Sequence, residues 1–536
     1  MIRDMFIYKE PQEKYKFTIT SDKNKPKNSD YKKMETVSRR IEENLQYTKD
    51  VFSIPDNGDI VIREFDINIG SNSLRGFLVC CDGLAGSNNI SSNILLPLMC
   101  LSELQRKKDE TTEDYVFRRL ITHTQISRET DINKLLKGVN YGNCAVFIDT
   151  LEAGFAAEVK AWDHRGVGEP ANETVIQGPH EGFNEMFRDN TALIRKSLNT
   201  CNLVMKNVKL GKTSQTPAAV CYLKNVANSS LVEEVCYRLE NIETEYILSS
   251  LSLVQYIEEA TFISVPQVVT TERPDRVCNA LVEGRVAIVV GGSSHVLIVP
   301  TTFFDVASSP EDSYLRFPYS FLTRIIRLIA IVLSLLAPAM FIAVMNFHQE
   351  LILTDILFAL SKARSAVPFS SLVELLLMEL SFELIKEAGV RVPGPIGPTL
   401  GIVGGLILGQ AAVSANIVSP IMIIVVSVAG IASFAIPSYQ LSFSFRFMRF
   451  VYTFAAALAG FLGIFTVMFI DTLLIVNTRS FGTSYTAPLA PRTRAHISEI
   501  FFTMPVWKKG KRPDYLDPID DTESPKISRK WKYKKR

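Results

Sequence analysis

The chain has 536 residues, with 58 Lys and Arg against 56 Asp and Glu and a formal net charge of +2. That length exceeds one ordinary domain. About 300 residues of soluble-type sequence precede several long apolar runs, which excludes both a purely aqueous protein and a purely membrane-embedded one. The near-neutral total hides a division: the apolar runs are almost uncharged, whereas both ends are rich in Lys and Arg.

In chain order, residues 1–50 mix Lys, Glu, Asn and Ser with few apolar side chains, so a disordered or loosely helical arm is expected. The start, MIRDMFIYKEPQEKYKF, has no apolar core of the length a cleavable signal needs. The soluble region is expected to be α/β and built twice. Residues 76–99 give a short apolar strand, a Gly/Asn/Ser turn and an apolar helix. Residues 218–239 repeat that order, with Ser229 or Ser230 placed to cap the helix. Each copy is followed by a strand pair, at 142–161 and at 284–299. Two related α/β subdomains are therefore expected at 51–165 and 200–310, joined by a Gly-, Pro- and Glu-rich crossover over 166–199. All eight cysteines lie in this soluble part, mostly inside apolar runs and without metal spacing, so they read as small buried hydrophobes of a reducing, cytosolic compartment.

Enzyme signals fail on inspection. The GKT at 211–213 lacks the glycine that a phosphate loop needs five residues earlier, where Lys206 stands. Ser293, Ser294 and His295 have no nucleophile elbow, and the six histidines show no HExxH. No enzyme activity and no cofactor are expected.

A helical polytopic membrane domain is expected over 320–475, with spans near 328–347, 398–415, 417–436 and 451–470. From Leu328 to Phe347 there is no charge, and twenty helical residues make ~30 Å, one hydrocarbon thickness. Arg324 and Arg327 suit the cytosolic end of that span, and Pro338 should kink it. Residues 369–388 are helical but carry Glu374, Glu379, Glu383, Lys386 and Glu387. Glu379, Glu383 and Glu387 share one stripe, which fits either an interfacial amphipathic helix or a re-entrant one lining a hydrated path. Gly401, Gly405 and Gly409 line one face and permit close helix packing, or a face that moves. With four spans, Lys386, Arg391, Arg446 and Arg449 fall on the side opposite the soluble domain, against the usual charge rule. The basic tail, 476–536, carries Trp507 and Trp531; it could bind anionic lipid headgroups or simply fix orientation. Asp514, Asp517, Asp520, Asp521 and Glu523 interrupt its basic run and argue against nucleic acid.

The run VPFSSLVELLLMELSFELIKEAGVRVPGPIGPTLGIVGGLILGQAAVSANIVSP (367–420) resembles the A subunit of the GerA family of spore germination receptors. The resemblance extends through IQGPHEGFNE (176–185), VPQVVTTERPD (265–275), LVEGRVAIV (281–289) and SPEDSYLRF (309–317). It covers roughly Asp59 to Ile470, with departures at Gln177 and His180, where arginines are the family pattern.

The resemblance implies a multi-pass protein of the spore inner membrane, with its soluble domain and tail on the core side. It implies a permease-like B subunit that binds the nutrient, a lipoprotein C subunit, and a homo-oligomer, possibly a pentamer. Nutrient binding would open an ion channel and release monovalent cations. On that reading Glu374, Glu379 and Glu383 attract cations, and Gly401, Gly405 and Gly409 form a packing or gating face. Glu181, Arg273 and Asp275 anchor the subdomains to the bundle. Alternatives are a stage V sporulation AF-type paralogue that amplifies ion release, a non-conducting scaffold subunit, and a secondary transporter, against which the absence of an inverted repeat argues.

Overall fold

The computed structural model describes residues 17–20, 34–69, 72–100, 111–160, 168–170, 172–261, 263–391, 396–493 and 510–523. Most of the 1–50 arm, Trp507, Lys508, Lys509, Trp531 and the basic run 529–536 of the tail lie outside them.

The soluble part holds two five-stranded antiparallel sheets. Helix α1 (Ile41–Phe52) leads to β1 (Ile60–Ile69) and β2 (Asn72–Cys81). Short helices α2 (Ser87–Ile90), α3 (Leu96–Cys100) and α4 (Thr112–Tyr115) come before β3 (Ile126–Glu129), then α5 (Ile132–Val139), β4 (Cys144–Ile148) and β5 (Gly154–Ala157). After α6 (Phe187–Ser197) come β6 (Leu203–Leu210), β7 (Thr216–Leu223), α7 (Ser229–Glu240), α8 (Ser250–Ile257) and β8 (Val269–Thr271). The second unit closes with α9 (Pro274–Glu283), β9 (Val286–Val290), β10 (Val296–Val299) and α10 (Phe303–Ala307). The strand orders are β1-β2-β4-β5-β3 and β6-β7-β9-β10-β8, the same arrangement twice.

Alternation along the strands explains why both sheets carry helices on both faces. Phe77, Val79 and Cys81 enter one cluster with α1 and α5, while Leu78 and Cys80 enter the other with Ile90, Ile94, Leu98, Tyr115 and Leu120. In the second sheet Ala219 and Cys221 face one core and Ala218 and Val220 the opposite one. The helix ends follow local chemistry. Asp131 caps α5 by accepting from Asn133 N and Lys134 N, and Asn228 caps α7. Pro274 opens α9 and Gly284 closes it at φ 102°.

The two units are joined at a fully buried ion pair. Arg195 of α6 meets Asp59 at 2.5 Å (Nε) and 2.9 Å (Nη2), and donates also to Asn140 Oδ1 at 3.0 Å and to the Leu203 carbonyl at 3.2 Å. Gly58 N donates to the Met205 carbonyl across the same joint.

Beyond the sheets the chain is helical: α11 (Phe317–Phe347), α12 (Thr354–Arg364), α13 (Ser371–Arg391), α14 (Ile396–Ser414), α15 (Pro420–Phe434) and α16 (Tyr439–Asn477). Among the described residues, α11 and α16 are long and apolar enough to cross a membrane, and α15 is a shorter apolar helix. Pro338 sits inside α11.

Helix α16 is not one rod. Ala459 and Gly460 leave helical geometry, with Gly460 at φ 59° and ψ −136°, a region open essentially to glycine alone. Tyr452 Oη lies 3.4 Å from Asp471 Oδ2, although nineteen residues of straight helix would separate them by ~28 Å. A Cβ added at Gly463 would collide with the Ala455 carbonyl. The element is therefore a hairpin, with a first arm over 439–458 and a second over 461–477. The single crossing expected at 451–470 is corrected here: its centre is the turn. Apolar composition alone does not separate a straight helix from two arms, and Gly460 supplies the backbone freedom that the turn requires.

Directions follow from contacts. The turn of α16 meets the far end of α11, where His348 stacks on Phe461 at 4.8 Å. A cavity of about 450 Å³ at that end is lined by Asn346, Gln349, Arg364, Ser371 and Ala457. Helix α13 therefore starts at the far end and runs back. Its Phe382 packs on Phe434, and Lys386 Nζ lies 4.3 Å from the same ring, at the last residue of α15. Ser419, before α15, touches Glu374 of α13 at the far end. After the second arm, β11 (Arg479–Ser480) and β12 (Thr483–Ser484) return to the second sheet, where Ser480 Oγ donates to the Gln267 carbonyl at 2.7 Å. One hydrophobic core continues across the junction: Ala219, Val289 and Ile298 share it with Ile331, Leu441 and Phe445.

Candidate functional site

Helix α13 places its carboxylates one turn apart, and each of the three expected ion-path residues meets a guanidinium. Glu383 Oε2 is 2.6 Å from Arg446 Nη1, and its other oxygen is 3.5 Å from Arg449 Nη2. Glu379 Oε1 lies 3.4 Å from Arg449 Nε. Glu374 Oε2 lies 3.8 Å from Arg364, while its Oε1 accepts from Ser419 N at 2.6 Å and Ser419 Oγ at 2.5 Å. That carboxylate holds the N-terminus of α15, where unpaired N–H groups favour an anion. Glu374, Glu379 and Arg449 are at most 1% exposed. Glu387, on the same predicted stripe, instead pairs with Arg391 on an exposed surface at 2.7 Å. The stripe thus divides into an inward row against the first arm of α16 and one outward pair.

A buried pair gains mutual attraction but loses hydration, so it does not by itself stabilise a bundle. Removing one partner is costly, because the other is left as an uncompensated charge. The geometry makes the row electrically neutral within one chain. It also joins α13, α12, α15 and α16 through charges rather than through close backbone packing.

The expected glycine face behaves differently along its length. Gly401 belongs to α14, but its surroundings lie outside the described side chains. An added Cβ at Gly405 would meet nothing within 4 Å, and at Gly409 the nearest atom is Ile423 Cδ1 at 3.9 Å. Closer glycine contacts in the bundle lie elsewhere: besides Gly463, Gly430 of α15 receives the Phe382 ring, whose nearest carbon lies 2.5 Å from where a Cβ would stand.

Of the expected coupling anchors, two come together and one does not. Arg273, fully buried, forms a fork on Asp275 at 2.8 and 3.1 Å and donates to the Glu173 and Pro179 carbonyls, each at 3.2 Å. Tyr314 Oη closes on the other side of Asp275. Burial and the adjacent Asp275 carboxylate push the Tyr314 phenol up to about 12. Glu311 accepts from Ile176 N at 3.0 Å, and Asp312 takes a two-pronged contact from Arg327 of α11 at 2.8 and 3.1 Å. The crossover is thereby clamped between α9 and the entry to α11. Glu181 stands apart, paired with Lys196 at 2.6 Å and half exposed. Sequence reasoning missed Asp312, Arg364 and the two arginines as partners. Arg446 and Arg449, three residues apart in an apolar helix, were the available signal, since guanidiniums at membrane depth need carboxylates.

A large cavity of about 1820 Å³ lies between α9, the entry to α11 and residues 510–523, lined by acids and bases together, including Asp275, Asp312, Arg324 and Arg512. Among the described residues no three His, Cys, Asp or Glu side chains are placed to hold a metal ion.

A soluble double-sheet module continuous in its core with a charged-seam helical bundle is the architecture, and the family is shown by sequence. The chain belongs to the GerA family, described as Bacillus/Clostridium GerA spore germination protein, whose model matches residues 46–515. It is 34% identical to spore germination protein KA of Bacillus subtilis (strain 168), over 92% of this chain and 90% of that protein. It is 35% identical to the uncharacterized membrane protein YfkQ of the same organism, over 89% of this chain and 92% of that one. A crystal structure of the N-terminal domain of the A subunit of the Bacillus megaterium spore germinant receptor GerK3 is similar at 25% identity and a TM-score of 0.39, over 51% of this chain and 99% of that one.

Proposed function

We propose that this chain is the A subunit of a nutrient germinant receptor in the spore inner membrane, and that it oligomerises into a channel releasing monovalent cations. A permease-like B subunit and a lipoprotein C subunit are its partners, and the soluble domain and tail face the spore core. Membership of the GerA family over residues 46–515 carries the process, spore germination. The observation that carries the coupling is the single core running from the second sheet into α11 and α16. Packed cores switch between arrangements rather than deform smoothly, so a shift in the sheets reaches the bundle.

The hairpin supports six crossings: α11, α13, α14, α15 and the two arms of α16. Six return the chain to the side of its soluble domain. Lys386 and Arg391 then stand on that side with Arg316, Arg324 and Arg327, as the positive-inside rule asks of a cytosolic face.

The paired state of Glu374, Glu379 and Glu383 favours a second reading for this row, as assembly contacts rather than cation attractors. The test is potassium efflux from vegetative cells expressing the chain with both partners, with and without nutrient. Nutrient-dependent efflux supports the channel. No efflux with all subunits verified in the membrane leaves a scaffold, and efflux without nutrient or partners favours the stage V AF-type role.

A further inference from the structure

Several buried polar atoms inside the bundle make no hydrogen bond to the protein. Glu379 is 1% exposed, yet neither carboxylate oxygen accepts a hydrogen bond. Arg449 is equally buried, and its Nε and Nη1 find no acceptor in hydrogen-bonding geometry. Thr453, one turn further along the same face of α16, buries a hydroxyl without a partner. Ser334 of α11 does likewise, and Pro338 removes the N–H that its carbonyl would accept. Unpaired polar atoms in a membrane bundle imply water or an ion beside them, because hydrocarbon and packed side chains offer no alternative.

The charges say which. Four titratable groups face one another from α13 and α16: Glu379 and Glu383, Arg446 and Arg449, with Lys386 turned onto the Phe434 ring. Arg446 is committed to Glu383 at 2.6 Å. That leaves Arg449 stretched between two carboxylates at 3.4 and 3.5 Å, near enough to neutralise them and too far for good hydrogen bonds. A loosely held positive charge between two carboxylates occupies the place that a hard monovalent cation would take.

We propose that Glu379 and Glu383 form a hydrated monovalent-cation site inside the bundle of a single protomer, and that the Arg449 guanidinium fills it as a tethered cation. Movement of Arg449 wholly onto Glu383 uncovers Glu379. Whether the cell uses the site for conduction rests on the channel reading above; binding does not.

The test separates the two. Full-length Arg449→Met, purified in detergent, is melted in KCl and in N-methyl-D-glucamine chloride of equal ionic strength. The expected result is a rise in Tm of several degrees in KCl for Arg449→Met, and none for wild type, Arg449→Lys or Arg449→Met/Glu379→Gln. In cells with both partners, Arg449→Met should leak potassium without nutrient roughly tenfold faster than wild type, and Glu379→Gln should suppress that leak. Equal melting of Arg449→Met in the two salts overturns the site. So does its failure to accumulate when potassium is present, since potassium should replace the lost charge. A potassium-dependent melt without any leak keeps the site and removes the channel use.

Discussion

Single side chains set the sharpest expectations. Arg273 is fully enclosed and satisfied by Asp275 and two carbonyls, so Asp275→Ala strands a guanidinium in the interior. The expected cost is about 3 kcal/mol, read as a lowered denaturation midpoint of the full chain, whereas Glu181→Ala on its exposed pair should change stability by less than about 1 kcal/mol. Similar midpoints for the two would remove the distinction between anchor and surface pair. The cysteines offer a second check. Burial pushes the Cys80 thiol up to about 11 and Cys278 up to about 12, so at pH 8 about one part in a thousand or less is thiolate. Cys100 is exposed to solvent. Mass-spectrometric mapping after brief alkylation at pH 8 should find Cys100 modified at least about tenfold faster than Cys80 or Cys278.

At the scale of elements, the hairpin of α16 depends on two glycines with different duties. Gly460 supplies a backbone conformation closed to other residues, and Gly463 lets one arm pass the Ala455 carbonyl of its neighbour. Gly460→Ala should cost about 1–3 kcal/mol and lower the accumulation of the protein in membranes, whereas Gly405→Ala, with open space around it, should be neutral in an isolated chain. A lowered melting temperature for Gly405→Ala in monomeric material would mean that α14 is packed differently. The helix α13 shows why a stripe read from spacing is incomplete. Period 3.6 puts Glu379, Glu383 and Glu387 together, and the carboxylates were legible as a set. Their division into two paired inward and one outward was not, because it depends on where Arg446 and Arg449 arrive from another helix.

For the whole molecule, the proposed topology counts the turn at Ala459–Gly460 as two crossings, which sets the side on which charges are expected. Six crossings predict opposite reactivities for two engineered cysteines in intact cells. Gln349→Cys, at the far end of α11, should react with a membrane-impermeant maleimide added outside, and Ser438→Cys, before the first arm of α16, should react only after permeabilisation. The reverse pattern, or equal labelling, would sink the topology.

Composition and periodicity were sufficient for the α/β class of the soluble part, the repeated strand–helix unit and the apolar helices, because burial of alternate or every third-to-fourth side chain leaves a direct trace in sequence. Arg273 and Asp275 were singled out through the family resemblance, and the structure brings their side chains together at 2.8 Å. The fold-back of α16, the core shared by sheet and bundle, and the neutralisation of Glu374, Glu379 and Glu383 were decided by tertiary structure. Each depends on residues distant in the chain meeting at one place, and an arginine's preference for a carboxylate does not say which carboxylate will be within reach.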